Sequence, residues 1–168
     1  SFFTLYTNID GFSYLEEDIP LLERPELDRW ILSELHTLIQ KVDKFYEEYE
    51  PTKAARAISD FTQDYLSNWY VRLSRRRFWK GDYQQDKISA YQTLYTCMVT
   101  IAKIAAPIAP FFMDKLYLDL NAVSKKENFE SVHLADFPVF KDSFIDKSLE
   151  RKMEDAQTIS SLVLSLRA

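Results

Sequence analysis

The sequence predicts an all-α protein, an antiparallel bundle of long helices. Several long stretches carry nonpolar residues at steps of three and four, the spacing of one helical face. The prolines fall between these stretches, and the chain contains only two glycines. With 168 residues, of which 46% are hydrophobic, the chain can bury one core.

The first long helix should begin at Pro25, because proline suits the first helical position. Its inward face is Leu27, Ile31, Leu35, Leu38, Val42, Phe45 and Tyr49. Pro51 interrupts this pattern, and a second helix should follow and end at Gly81. Its inward stripe is Ala54, Ile58, Phe61, Tyr65, Trp69 and Leu73. The short break at Pro51 predicts that the two helices pack antiparallel, which would bring Asp28 close to Arg72 and Arg76.

The rest of the chain predicts three more helices. A helix over 84–106 should turn Ile88, Tyr91, Tyr95, Met98, Ile101 and Ala105 inward. Pro107 and Pro110 should break the chain before a shorter helix over 111–120, whose phenylalanines would close the bundle. We expect a loop over 121–130 and a short extended stretch over 131–138. The inward face of the last helix is Ile145, Leu149, Met153, Ala156, Ile159 and Val163.

The second helix ends in a group of cations next to large aromatic residues. The cations are Arg72, Arg75, Arg76, Arg77 and Lys80, and the aromatic residues are Phe78 and Trp79. Such a surface suits phosphates and stacked bases. One or two of these cations could instead be explained by the negative end of the helix dipole. The chain carries a net charge of −5, so any contact with a polyanion must come from this local patch.

The helical spacing divides these arginines. Arg72 and Arg76 continue the inward stripe, so we expect one of them to be partly buried and paired with Asp28 or another carboxylate. Arg75 and Arg77 diverge to either side, and together with Lys80 they remain available for phosphate.

The tryptophans are assigned by their positions in the pattern. Trp69 lies on the inward stripe, which predicts a core residue. Trp30 falls off the stripe of its helix and Trp79 lies at a helix end, so each is expected at an interface with another domain or with RNA.

Several kinds of site are not supported by the sequence. The histidines, His36 and His133, have no second ligand at metal-binding spacing, so we predict no metal site and a surface or capping role for both. The single cysteine, Cys97, excludes a disulfide framework and is expected in the core. No Gly-rich phosphate loop, catalytic triad, signal peptide or bilayer-spanning stretch is apparent, and the expected location is the cytoplasm.

Five stretches carry a family resemblance that extends over nearly the whole chain: 8–12 (NIDGF), 28–32 (DRWIL), 54–58 (AARAI), 67–79 (SNWYVRLSRRRFW) and 131–138 (SVHLADFP). In these stretches the chain resembles the isoleucyl-tRNA synthetases, a branch of the class I aminoacyl-tRNA synthetases. The synthetases for valine, leucine and methionine share the helical architecture. The Arg-rich run and the 8–12 segment resemble the isoleucine branch most.

The resemblance implies an α-helical anticodon-binding domain over 24–168, with 1–23 connecting it to a catalytic core. The parent enzyme would join isoleucine to its tRNA using ATP, with Mg and Zn. The His-Ile-Gly-His and Lys-Met-Ser-Lys-Ser type signatures of the family are missing here, so this chain would carry no catalytic residue and no cofactor of its own. Its partners would be the anticodon stem-loop of isoleucine tRNA and the remaining domains of the parent.

Two alternatives belong to other classes of function. The bundle could be a structural spacer that orients other synthetase domains, with its arginines and aromatic residues buried between domains. It could also be an unrelated protein-interaction bundle, which the length of the resemblance disfavours.

Overall fold

The computed structural model describes residues 2–80, 82 and 84–166, and over these residues the all-α prediction is confirmed. The described residues form six helices and no strand. These helices are α1 (Phe2–Asp10), α2 (Glu26–Glu47), α3 (51–80), α4 (Gln85–Ala105), α5 (Pro110–Ser124) and α6 (Lys147–Ser165). Helix α3 consists of α-helical Pro51–Asp60, π-helical Phe61–Val71 and α-helical Arg72–Lys80. Short 3-10 turns at Leu21–Glu23, Val132–Leu134 and Asp142–Phe144 lie in the connections.

Helix α2 is the centre of the bundle and packs against α3, α4 and α6. Pro25 precedes its first turn, and Glu26 and Asp28 place negative charge at the positive end of the helix dipole. The middle of the predicted inward face is buried, at Ile31, Leu35, Leu38 and Val42. Because neighbours surround the helix, Trp30 is buried too, with 1% of its surface exposed. The prediction that Trp30 lies at an interface is therefore wrong.

Helix α2 ends earlier than its nonpolar pattern suggests. Tyr49 adopts a left-handed backbone conformation with φ 57°, and the Glu50 N–H donates to the Phe45 carbonyl over 2.8 Å. This is the hydrogen bonding of a Schellman motif, which reverses the chain before Pro51 opens α3. Tyr49 is consequently 90% exposed and does not belong to the inward face.

The π-helical segment changes which face of α3 is buried. Hydrogen bonds from i to i+5 wind more residues into each turn than an α-helix does. The buried stripe therefore moves by five residues from Phe61 to Leu66 and then continues by four to Tyr70, Ser74 and Phe78. The predicted stripe is correct up to Phe61 and one residue out of register after it. Trp69 is only half-buried and Leu73 is 51% exposed.

Helix α4 matches the predicted span, whereas α5 differs from prediction at both ends. Pro110 opens α5, which leaves Phe111 and Phe112 on the outer side, 90% and 69% exposed. The expectation that these phenylalanines close the bundle is wrong, and Tyr117 and Leu120 are the residues of α5 that are buried in the core. The helix also continues to Ser124, into the stretch predicted as loop.

The segment 2–14 packs on α4 through aromatic side chains. Gly11, with φ +66°, ends α1, and the Phe12 N–H donates to the Thr7 carbonyl over 3.0 Å. The Phe12 ring then stacks on Tyr91 with 4.7 Å between centroids, and Tyr14 meets Tyr95 edge to face.

The 131–138 stretch contains a 3-10 turn rather than the predicted extended chain. Ser131 caps the turn, and the Asp114 carboxylate accepts hydrogen bonds from Ser131 Oγ and the Val132 N–H over 2.7 and 2.9 Å. These local hydrogen bonds favour the turn over extended backbone.

Only the first half of helix α6 packs against the bundle. Asp146 caps it by accepting from the Leu149 N–H, and Ser33 and Thr37 of α2 both donate to the Glu150 carboxylate. Beyond Met153 most side chains of the helix are exposed. The inward face predicted there is wrong, since Ile159 and Val163 are 61% and 43% exposed.

The two histidines differ in environment. His133 is exposed, whereas His36 is buried and its Nδ1 accepts a hydrogen bond from the Lys141 N–H over 3.1 Å. Burial, with the nearby Lys141 charge, lowers the pKa of His36 to about 4. The predicted surface or capping role for His36 is wrong, because α2 is enclosed on this side as well. Cys97 is buried as predicted.

The helices of the described residues include none long and apolar enough to cross a membrane.

Candidate nucleic-acid interface

The end of α3 is anchored by a buried carboxylate, Asp28, whose side chain has no exposed surface. Arg77 binds it with both terminal nitrogens, at 2.6 and 2.8 Å. Tyr70 and Ser89 also donate hydroxyl hydrogen bonds to it, over 2.8 and 2.5 Å. Through these hydrogen bonds, Asp28 of α2 is joined to Tyr70 and Arg77 of α3 and to Ser89 of α4.

Arg77 is held from the other side as well. Its Nε donates to an Asp86 carboxylate oxygen over 3.0 Å, and Nη2 donates to the Asp86 carbonyl over 2.7 Å. Burial by itself would lower the pKa of the Arg77 guanidinium, but the hydrogen bonds and charge of Asp28 outweigh it and raise the pKa. With 15% of its side chain exposed and its donors engaged, Arg77 is not available for phosphate. This corrects the expectation that Arg77 is free and that Arg72 or Arg76 pairs with Asp28.

The π-helical segment explains this exchange of roles. It shifts the register by one residue, so the inward position assigned to Arg76 is taken by Arg77. Arg76 and Arg72 turn to the outside by the same shift.

Three arginines and a tryptophan now share the outer face of α3. Arg72, Arg75, Arg76 and Trp79 follow the i, i+3, i+4, i+7 spacing of a single helical face. The three arginines are exposed, and none of them forms an ion pair with a carboxylate of the described residues. Trp79 is 72% exposed. We call these four residues the arginine face. The expectation that Arg72 and Arg76 lie on the inward stripe is therefore wrong.

The remaining predicted cation, Lys80, occupies the last position of α3, and its side chain lies outside the described residues. Gly81, predicted to end the helix, lies outside them too. On the far side of this connection, Gln84 precedes α4 with an exposed side chain whose amide can donate and accept hydrogen bonds.

The arginine face is suited to binding rather than to catalysis. Guanidinium groups bind phosphate oxygens with two parallel hydrogen bonds, and an exposed indole offers a flat surface for stacking. The described residues contain no group of three or more His, Cys, Asp or Glu side chains that could hold a metal ion.

A family model described as the anticodon-binding domain of tRNA ligase matches residues 28–168. The chain belongs to this family of anticodon-binding domains. The matched residues begin at Asp28, so the ion pair and the arginine face both lie inside the anticodon-binding domain.

Individual relatives are similar over the whole chain. A protein of Bacteroides thetaiotaomicron named isoleucine–tRNA ligase is 60% identical over 167 residues, which is 99% of this chain and 14% of the relative. A protein of the same name from Cytophaga hutchinsonii is 62% identical over 167 residues, 99% of this chain and 15% of the relative. One from Dehalococcoides mccartyi strain CBDB1 is 50% identical over 168 residues. The chain thus spans about 14–16% of the length of these relatives.

One signal in the sequence points to the true register of this anticodon-binding domain. Phe78 is bulky and nonpolar, yet it falls off the predicted stripe. A stripe traced backwards from Phe78 at steps of four runs through Ser74, Tyr70 and Leu66. The two stripes meet only if one turn holds an extra residue between Phe61 and Leu66, which is where the π-helix begins.

Proposed function

We propose that this domain binds the anticodon stem-loop of a tRNA through the arginine face. The observation that carries the proposal is the exposed set of Arg72, Arg75 and Arg76 on one side of α3, in a chain of net charge −5. Within the part of the chain that the structure describes, no carboxylate pairs with these three arginines. A local group of exposed guanidinium groups on an acidic protein favours a phosphate backbone as partner. Membership of the anticodon-binding family supports the same partner.

Each residue of the site has its own proposed role. Arg72, Arg75 and Arg76 bind phosphates, and Lys80 adds a further cation at the end of the helix. Trp79 stacks on a base or sugar of the loop, since unpaired loop bases are the part of RNA that proteins recognise by stacking.

Arg77 and Asp28 do not touch the RNA in this proposal. Their ion pair fixes the last turns of α3 against α2 and α4, and so holds the arginine face in one orientation. An interface fixed before binding loses less entropy when the RNA arrives.

The specific partner is the tRNA for isoleucine. The relatives at 50–62% identity carry the name isoleucine–tRNA ligase, which supports this branch over those for valine, leucine and methionine. In the parent polypeptide, residues 24–168 form the anticodon-binding domain and 1–23 join it to a catalytic core. That parent ligates isoleucine to its tRNA in the cytoplasm, using ATP with Mg, and also holds Zn.

A binding experiment on the full-length polypeptide tests the role of the arginine face. Replacing Arg72, Arg75 and Arg76 together by alanine should weaken tRNA binding at least about tenfold at physiological salt, since each lost phosphate contact removes a counterion-release contribution. Arg56→Ala is the matched control, because Arg56 is exposed on the same helix about 24 Å from Arg72. Equal affinity of the triple variant and the control would contradict the proposal.

A structural spacer is the second candidate, and the exposed nonpolar residues favour it. Phe111, Phe112 and Leu162 are each at least 60% exposed, which suits contact with other domains. If the domain were only a spacer, the triple arginine variant would bind tRNA as the unchanged protein does.

A further inference from the structure

A nonpolar cleft of about 630 Å³ opens between α3, α4 and α5. Ile58 and Leu66 line it from α3, Met98 and Ile101 from α4, and Phe112 and Met113 from α5. No charged side chain lines the cleft among the described residues. Phe112 remains 69% exposed at its rim. Nonpolar clefts of this size on a helical surface are typical sites for another nonpolar segment.

Helix α1 already occupies the neighbouring part of the same trough. At its C-terminal end, the Asp10 carboxylate pairs with Lys87 in the first turn of α4, with 2.7 Å between Oδ2 and Nζ. Near its N-terminal end, Phe3 packs edge to face on Tyr91 and lines the cleft beside Met98. Helix α1 therefore runs antiparallel to α4, and its N-terminal end is directed into the cleft.

We propose that the cleft holds a nonpolar helical segment of the same polypeptide, which continues α1 in the N-terminal direction. The rest of the cleft follows α4 in that direction, past Ile101 and Ala105 to Ile108. From Met98 to Ile108 is about 15 Å at the rise of a helix, so about ten residues, three turns, fill it. The relatives have most of their length outside the matched region, and this additional length could contain such a segment.

The chemistry of the cleft decides between possible occupants. A nucleic acid needs cations, and the lining has none among the described residues. A helical segment needs only nonpolar residues at i, i+3 or i+4 and i+7 to match this lining. The occupant is therefore an amphipathic helix whose polar side faces away from α3 and α5.

The continuation also accounts for the stability of α1. Nine residues are fewer than the 12–15 at which an isolated helix becomes even marginally stable in water. Three further turns packed in the cleft would extend both its hydrogen bonding and its buried surface.

A photocrosslinking experiment on the full-length polypeptide tests the occupant directly, without tRNA. Phe112 is replaced by p-benzoylphenylalanine, the protein is irradiated, and the crosslinked peptides are identified by mass spectrometry. The expected product joins position 112 to the segment immediately preceding Ser1. Phe111 is the matched control, because it is adjacent and 90% exposed but does not line the cleft, so the same group there should not reach that segment.

Other products would overturn the proposal. A crosslink from position 112 to a different part of the polypeptide or to a second copy would show another occupant, and no crosslink would show an open cleft. A pair of charge variants gives a second readout. Phe112→Asp should lower the thermal midpoint of the full-length protein by several degrees more than Phe111→Asp, because it buries a carboxylate under the segment. Equal midpoints would contradict the proposal, whether or not the arginine face binds tRNA.

Discussion

Replacing Arg77 by methionine should destabilise the bundle strongly. The Asp28 carboxylate has no exposed surface and accepts four hydrogen bonds, two of them from Arg77. After the change, the hydroxyl groups of Tyr70 and Ser89 are the donors to Asp28 that remain among the described residues. Methionine keeps a long nonpolar stem, so the main loss is the cation opposite a buried anion.

The magnitude follows from the burial. Removing one partner of a buried ion pair costs about 3–5 kcal/mol, because the other charge stays buried and unpaired. A domain of this size has a free energy of unfolding of about 5–15 kcal/mol, so the variant loses a large part of it. Adding Asp28→Asn to Arg77→Met should recover part of the loss, since the buried group is then neutral.

Urea unfolding followed by far-UV circular dichroism measures these differences. Arg76→Met is the matched control, because Arg76 is adjacent to Arg77 and exposed. This change should alter the free energy of unfolding by no more than about 0.5 kcal/mol. A larger loss in Arg76→Met than in Arg77→Met would refute the register that the π-helical segment imposes on α3.

Three further predictions concern the core, the pH dependence and the RNA. Phe78→Ala should lower the free energy of unfolding by about 3–5 kcal/mol, because Phe78 is a buried aromatic residue. Trp69→Ala should lower it less, because Trp69 is only half-buried. Thermal unfolding measures both losses, and equal losses would contradict the assigned stripe. His36 is neutral in the folded state with a pKa of about 4, whereas an unfolded histidine binds a proton near pH 6.5. The free energy of unfolding should therefore fall as pH falls from about 6.5 to 4. Urea titrations at several pH values should show a smaller decrease for His36→Gln than for the unchanged protein. An equal decrease would show that His36 does not contribute to the pH dependence. Arg75→Ala should reduce the slope of log K for RNA against log salt by about 0.7–0.9 while leaving the urea midpoint unchanged; an unchanged slope would remove Arg75 from the interface.

Local signals in the sequence were sufficient to predict most of the helices. Pro51 and Pro110 mark helix starts, and the nonpolar spacing of α2 and α4 identifies faces that are buried in the structure. These features depend on backbone sterics and on periodicity, which are readable without knowing the neighbours.

Features that depend on tertiary packing were missed. Trp30 and His36 lie off the main stripe of α2, and they are buried because other elements cover those sides as well. Phe111 and Phe112 are nonpolar yet exposed, because none of the described elements covers the outer side of α5. Whether such a side chain is buried depends on its tertiary neighbours, which the local periodicity does not reveal.

The arrangement of the candidate site differs from the one predicted from the sequence. The arginines of α3 and the carboxylate of Asp28 were singled out from the sequence, but a constant α-helical period places Arg76 inside and Arg77 outside. The π-helical turn between Phe61 and Leu66 reverses the two. Tertiary packing favours the extra residue in that turn, because it allows Tyr70 and Phe78 to be buried together.

Recognition of the anticodon stem-loop is tested most directly by fluorescence anisotropy. The folded chain is titrated with labelled stem-loops carrying the isoleucine anticodon or another anticodon, over a range of salt concentrations. We predict binding that weakens steeply with salt and prefers the isoleucine loop, and that is reduced when Arg72, Arg75 and Arg76 are replaced by alanine. Absence of salt-dependent binding to either stem-loop, in a sample whose circular dichroism shows the folded bundle, would contradict the assignment of the arginine face.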